Sequence, residues 1–211
     1  MRNQVKNKMI IMTILSILII SIASNVFAAT DQAGLFCTGD LTNSYGSLTL
    51  SLARDGMSRL GYNIVQYNDN VTSKSTIMNY INMSGSNYGL YLKSHGSPTD
   101  LAVINGQYDT YINVSEISGN WHFVFLDGCS TAADSRWADA FHTTGYSSRG
   151  FLGWYQTVWT DKVYEFSKSF WSQVGSKSLR DAALAAASTV PGSGSTPIRM
   201  YGDKSYYGWA W

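Results

Sequence analysis

Charge is scarce in this sequence. Of its 211 residues only 14% are Asp, Glu, Lys or Arg, and the formal net charge is +1. The few cations form no basic stripe, so neither nucleic-acid binding nor electrostatic docking on anionic lipid is expected. Histidine occurs three times, and neither His122 nor His142 has a partner at helical or zinc-site spacing, which argues against a metal site. A Gly-x-Ser-x-Gly elbow, a Walker loop and a dinucleotide fingerprint are all missing. Long apolar runs are limited to Met9 to Ile22, so no membrane span is expected once that segment is removed. No internal repeat or extended low-complexity tract is visible.

That one apolar run follows Arg2, Lys6 and Lys8 and precedes Val26-Phe27-Ala28, the small-residue pattern of a signal peptidase site. Residues 1–28 therefore read as a secretory signal peptide and residues 29–211 as a single exported domain, large enough for its own core. Its removal takes away three positive charges and leaves the mature chain slightly acidic. Cysteine is reduced to Cys37 and Cys129. In an oxidising compartment the pair supports two readings, one structural disulfide or a reactive Cys129 with Cys37 unpaired. Aromatic residues are abundant, with seven Trp and fourteen Tyr, which suits either a large core or an exposed recognition surface.

Strand-like and helix-like patterns alternate along the chain. Ala33 to Cys37, Tyr62 to Tyr67, a segment ending at His95, a segment ending at Cys129, and Gly150 to Trp154 read as strands, with Ile198 to Tyr201 as a candidate last one. Leu50, Ala53, Met57 and Leu60 recur at helical spacing, as do Val163, Phe166, Phe170 and Val174. Ile77 to Ile81, Trp137 to His142 and Leu179 to Ala186 also read as helical, the last with Ser178 and Asp181 as N-cap and N3. A hairpin-like excursion is expected around Asn105-Gly106. Strands separated by helices pair in parallel through right-handed crossovers, so the predicted fold is a three-layer α/β/α sandwich on a mostly parallel central sheet.

The segments Tyr88-Gly89-Leu90-Tyr91-Leu92-Lys93-Ser94-His95-Gly96 and Trp121-His122-Phe123-Val124-Phe125-Leu126-Asp127-Gly128-Cys129-Ser130 carry the chemistry. Each is an apolar run that stops at a proton-transfer or nucleophilic group, and carboxyl ends of strands are where such sheets place their sites. A Cys gains nucleophilicity from a neighbouring base, so His95 and Cys129 at adjacent strand ends make a dyad. Gly96 lets backbone approach a substrate, and the Gly96 and Cys129 amides can face a tetrahedral oxyanion.

Apolar run, His-Gly, spacer, apolar run, Asp-x-Cys resembles the caspase-like cysteine peptidases, the grouping of caspases, metacaspases, clostripain, legumain and gingipains. The resemblance implies a caspase-like fold over residues 33 to 190, with His95 and Cys129 catalytic and Gly96 and Cys129 supplying oxyanion-hole amides. It also implies that Trp154, after the fifth strand, helps shape the substrate pocket. Caspases carry Gln-Ala-Cys, whereas Asp127-Gly128-Cys129 is nearer the Asp-x-Cys of metacaspases and clostripain, where the acid helps hold a basic side chain. Asp127 is accordingly the expected pocket acid, with cleavage after Arg or Lys, and Asp134 could share that role. Several relatives use calcium, for which Asn68, Asp69, Asn70 and Asp100 are candidate oxygen ligands outside any EF-hand spacing. No cofactor is required.

Each site residue also has a structural reading: His95 bonded to a loop carbonyl, Cys129 paired with Cys37, Asp127 as a turn residue. Two functions are therefore carried forward. One is a secreted, monomeric cysteine endopeptidase acting on peptide or protein substrates. The alternative is a catalytically inactive caspase-like secreted module, binding or toxin-associated, that displays its aromatic surface.

Overall fold

In the computed structural model, residues 31–83, 88–104, 109–190 and 197–205 are described. The signal-peptide reading and Asn105-Gly106 lie outside them. Strand β1 (Gln32–Thr38) leads into α1 (Ser44–Arg59), β2 (Asn63–Val71), α2 (Lys74–Ile81) and β3 (Tyr88–Lys93). Three short strands follow, β4 (His95–Gly96), β5 (Asp100–Ile104) and β6 (Asp109–Asn113). The chain then returns through β7 (Phe123–Asp127), α3 (Arg136–Ala140), β8 (Gly150–Trp154), α4 (Thr160–Gln173), α5 (Leu179–Ala187) and β9 (Ile198–Gly202).

The main sheet has the order β2-β1-β3-β7-β8-β9, parallel except for β9, which runs antiparallel to β8. Its central strands β3, β7 and β8 are almost wholly buried, because helices cover one face and helices with the small second sheet cover the other. Alternation along each strand divides the core in two. Leu35, Tyr91, Phe125 and Leu152 face α1, α4 and α5 with Met57, Phe166, Phe170 and Trp171. Phe36, Leu92, Leu126 and Phe151 face the opposite layer with Ile77, Tyr80, Trp137 and Phe141. That layer also receives Leu101, Val103 and Ile112 from the antiparallel sheet β4-β5-β6.

Local signals explain several boundaries. The Asn43 side chain accepts the Tyr45 and Gly46 N–H groups and starts α1, and Ser178 Oγ accepts the Asp181 N–H at α5. Three expectations are corrected. β2 continues past the expected end at Tyr67 as far as Val71, where an edge strand with exposed polar side chains gives no apolar signal. The third strand stops at Lys93 rather than His95, since Ser94 N–H makes a last bond to Asp127 O and His95 and Gly96 then pair with Ala102 and Leu101 in the second sheet. The fourth strand stops at Asp127, and Cys129 sits in the turn beyond it.

His122, at the entrance to β7, is buried, and burial with the nearby Arg149 charge pushes its imidazole down to about 4. Folded and unfolded chains both hold it neutral above pH 6.5; below that only the unfolded chain takes up the proton, so stability falls as pH drops from 6.5 towards 4. In denaturant titrations, the loss of stability between pH 7 and 4.5 is expected to shrink by about 2–3 kcal/mol in His122→Gln relative to wild type.

Candidate active site

β3 and β7 are neighbours in register, with Leu92 opposite Leu126 and Lys93 opposite Asp127, so the residues just past each strand emerge side by side. Two glycines allow the turns to touch. A Cβ at Gly128 would lie 2.8 Å from the Ser94 carbonyl oxygen, and one at Gly96 would lie 3.0 Å from the Cys129 carbonyl oxygen. Backbone cannot yield as a flexible side chain does, so any larger residue at either position would push the His95 and Cys129 segments apart.

His95 and Cys129 line one cleft of about 360 Å3, within the range of small-ligand sites. His95 also borders a second hollow, of about 570 Å3, bounded by Ser97, Asp100 and Tyr111 on the small sheet. Its Nε2 lies 2.9 Å from Asp40 Oδ2, and Thr38 Oγ1 donates to the other Asp40 oxygen at 2.9 Å. Asp40 therefore fixes the ring through Nε2 and leaves Nδ1 as the proton-accepting nitrogen. Sequence reasoning missed Asp40, which follows β1 in a single 3-10 turn, Gly39–Leu41. The available signal was its place just beyond the strand that neighbours β3.

Cys129 occupies a tight turn. Ser130 adopts φ 59°, and Thr131 Oγ1 donates to the carbonyls of Leu126 and Gly128 while accepting the Trp154 N–H. The Cys129 sulfur receives the Val158 N–H at 3.4 Å and faces the Val158 carbonyl at 3.6 Å. Among the described residues the Cys129 N–H meets no acceptor. Both cysteines are free thiols, so the disulfide reading is not what forms: Cys37 is fully buried in β1, and burial pushes its thiol up to about 12.

Asp127 reaches the edge of the cleft with its carboxylate already engaged by the protein. Its side chain is 0% exposed, and its oxygens accept from Tyr91 Oη at 2.5 Å, Lys93 Nζ at 3.2 Å and Trp154 Nε1 at 2.8 Å. The motif shows that an acid precedes the cysteine; that Lys93 lands opposite it comes from the strand register. Trp154, 1% exposed, supports this acid from within the core rather than walling the pocket. Burial and the adjoining Asp127 charge hold the Tyr91 phenol well above its usual range.

The remaining candidates fall elsewhere. Asp134 is held by Arg136 at the start of α3 and does not border the cleft. Asp69 lies on β2 and Asp100 on β5, in different sheets, and the Asp100 carboxylate accepts from Thr99 and Asn113, which hold it below the usual carboxylate range. No cluster of three His, Cys, Asp or Glu side chains that could hold a metal occurs among the described residues. No helix of the described residues is long and apolar enough to cross a membrane.

Sheet order, layering and the two strand-end turns define a caspase-like α/β fold. Among solved structures the chain is similar to the Arg-specific cysteine proteinase gingipain R, with a TM-score of 0.54 and 12% identity. The match covers 84% of this chain and 47% of that one. At this identity the likeness is one of fold. No protein-family model and no curated protein sequence matches the chain.

With a chromogenic disulfide reagent, the native protein is expected to expose one thiol, Cys129, and to expose Cys37 only after denaturation. A native protein that releases thiols only after reduction would contradict this arrangement.

Proposed function

We propose that this protein is a cysteine endopeptidase, exported by its amino-terminal segment, in which Cys129 is the nucleophile and His95 the general acid and base. The observation that carries the reading is the arrival of both groups at one cleft from adjacent strand ends, with His95 oriented by the Asp40 carboxylate. The caspase-like fold adds support, as one solved structure that shares it is a cysteine proteinase.

The chemistry follows from the groups at hand. Cys129 Sγ attacks the scissile carbonyl carbon while its proton passes to His95, and the resulting imidazolium is stabilised by Asp40. The unspent Cys129 N–H is suited to the developing oxyanion, with the Gly96 N–H as the second expected donor. Collapse breaks the C–N bond, and His95 delivers the proton to the departing amine. The thioester that remains is cleaved by a water whose proton His95 accepts, and the thiol is restored when that proton returns to sulfur. Val158 N–H is directed at the sulfur and helps hold it in place.

Turnover of a fluorogenic peptide library is expected in wild type and absent in Cys129→Ala and His95→Ala, each with an unchanged circular dichroism spectrum. Asp40→Asn keeps a hydrogen bond but loses the charge beside the imidazolium, so kcat/KM is expected to fall about 10- to 100-fold. Turnover retained by Cys129→Ala would remove the peptidase reading.

A further inference from the structure

The charges that line the cleft are already spent on one another. Lys93 Nζ and the Asp127 carboxylate form an ion pair whose side chains are 2% and 0% exposed, with Tyr91 and Trp154 also donating to the acid. An incoming guanidinium or ammonium would have to displace a lysine of the same chain from a dry site, and an incoming carboxylate would find no unpaired cation there. Of the other side chains on the wall, only Thr157 and Thr160 add hydroxyls beside Ser94: Leu41, Val158, Trp159 and Val163 border the same cleft as Cys129, and Trp159 is 74% exposed, an unusual degree for a large aromatic side chain.

We propose that the cleft selects peptides in which the residue before the cleaved bond is large and apolar, such as Leu or Phe, and rejects Arg, Lys and Asp. Lys93 thus acts as an internal occupant of the acid that would otherwise attract a basic side chain. The proposal rests on the peptidase reading of the same cleft, and its tests separate the two.

A matched set of fluorogenic peptides differing only in the residue before the bond gives the first test. In wild type, kcat/KM is expected to be about 100-fold higher for Leu and Phe than for Arg, Lys or Asp. A preference for Arg or Lys would overturn the proposal and leave the peptidase reading standing. Absence of all turnover would count against the peptidase reading alone, because specificity is then read from binding. Calorimetry of Cys129→Ala with the corresponding uncleaved peptides is expected to show the Leu peptide binding at least about 10-fold more tightly than the Arg peptide. Equal or reversed affinities would overturn the proposal. In Lys93→Met the acid loses its occupant, and the Leu-to-Arg ratio is expected to fall by at least about 10-fold; an unchanged ratio in the folded variant would overturn the role given to Lys93. If that variant does not fold, the wild-type panel and the Cys129→Ala affinities decide.

Discussion

The buried contact between Lys93 and Asp127 is the constraint on which the site depends. Two charges taken out of water are costly unless further hydrogen bonds support them, and here Tyr91 Oη and Trp154 Nε1 also donate to the acid. The four side chains belong to three consecutive strands, β3, β7 and β8, at the carboxyl ends from which the His95 and Cys129 turns emerge. Removing one partner of such a pair leaves an uncompensated charge, at a cost of about 3–5 kcal/mol. The network therefore fixes the spacing of the strand ends and, through it, the placement of the two chemical groups. Glycine does the rest, since Gly96 and Gly128 let the backbones meet where a side chain would hold them apart.

In the proposed peptidase the same network links scaffold and selectivity. An acid directly before the Cys129 turn is well placed to attract a cation, and this chain provides that cation from its own third strand. The fold is shared with gingipain R, yet at 12% identity over 47% of that protein's chain, the side chains around the cleft are free to differ. Fold supplies the positions of His95 and Cys129; Leu41, Val158, Trp159 and Val163 supply the character of the cavity beside them.

Much of this was legible in the sequence because it rests on local patterns. The apolar runs of β3 and β7, the helical spacing from Leu50 to Leu60 and the Ser178 cap each follow from a few neighbouring residues. The partners of Asp127 did not follow, because a register between strands more than thirty residues apart decides them. A signal was present all the same: Tyr91 and Lys93, two apart on one strand face, interrupt an otherwise aliphatic run with groups that need an acceptor. Asp40 was hidden among turn residues, the end of β2 beyond Tyr67 by its exposed polar side chains, and β4 by its short length.

The central claim is that His95 and Cys129 act together in one cleft. Its most direct test is peptide mapping by mass spectrometry after exposure of the native protein to a peptidyl thiol-reactive electrophile, in wild type and in His95→Ala. The account predicts modification at Cys129 alone, at a rate sharply reduced in His95→Ala. Modification of Cys37, or equal labelling of Cys129 in both proteins, would contradict it.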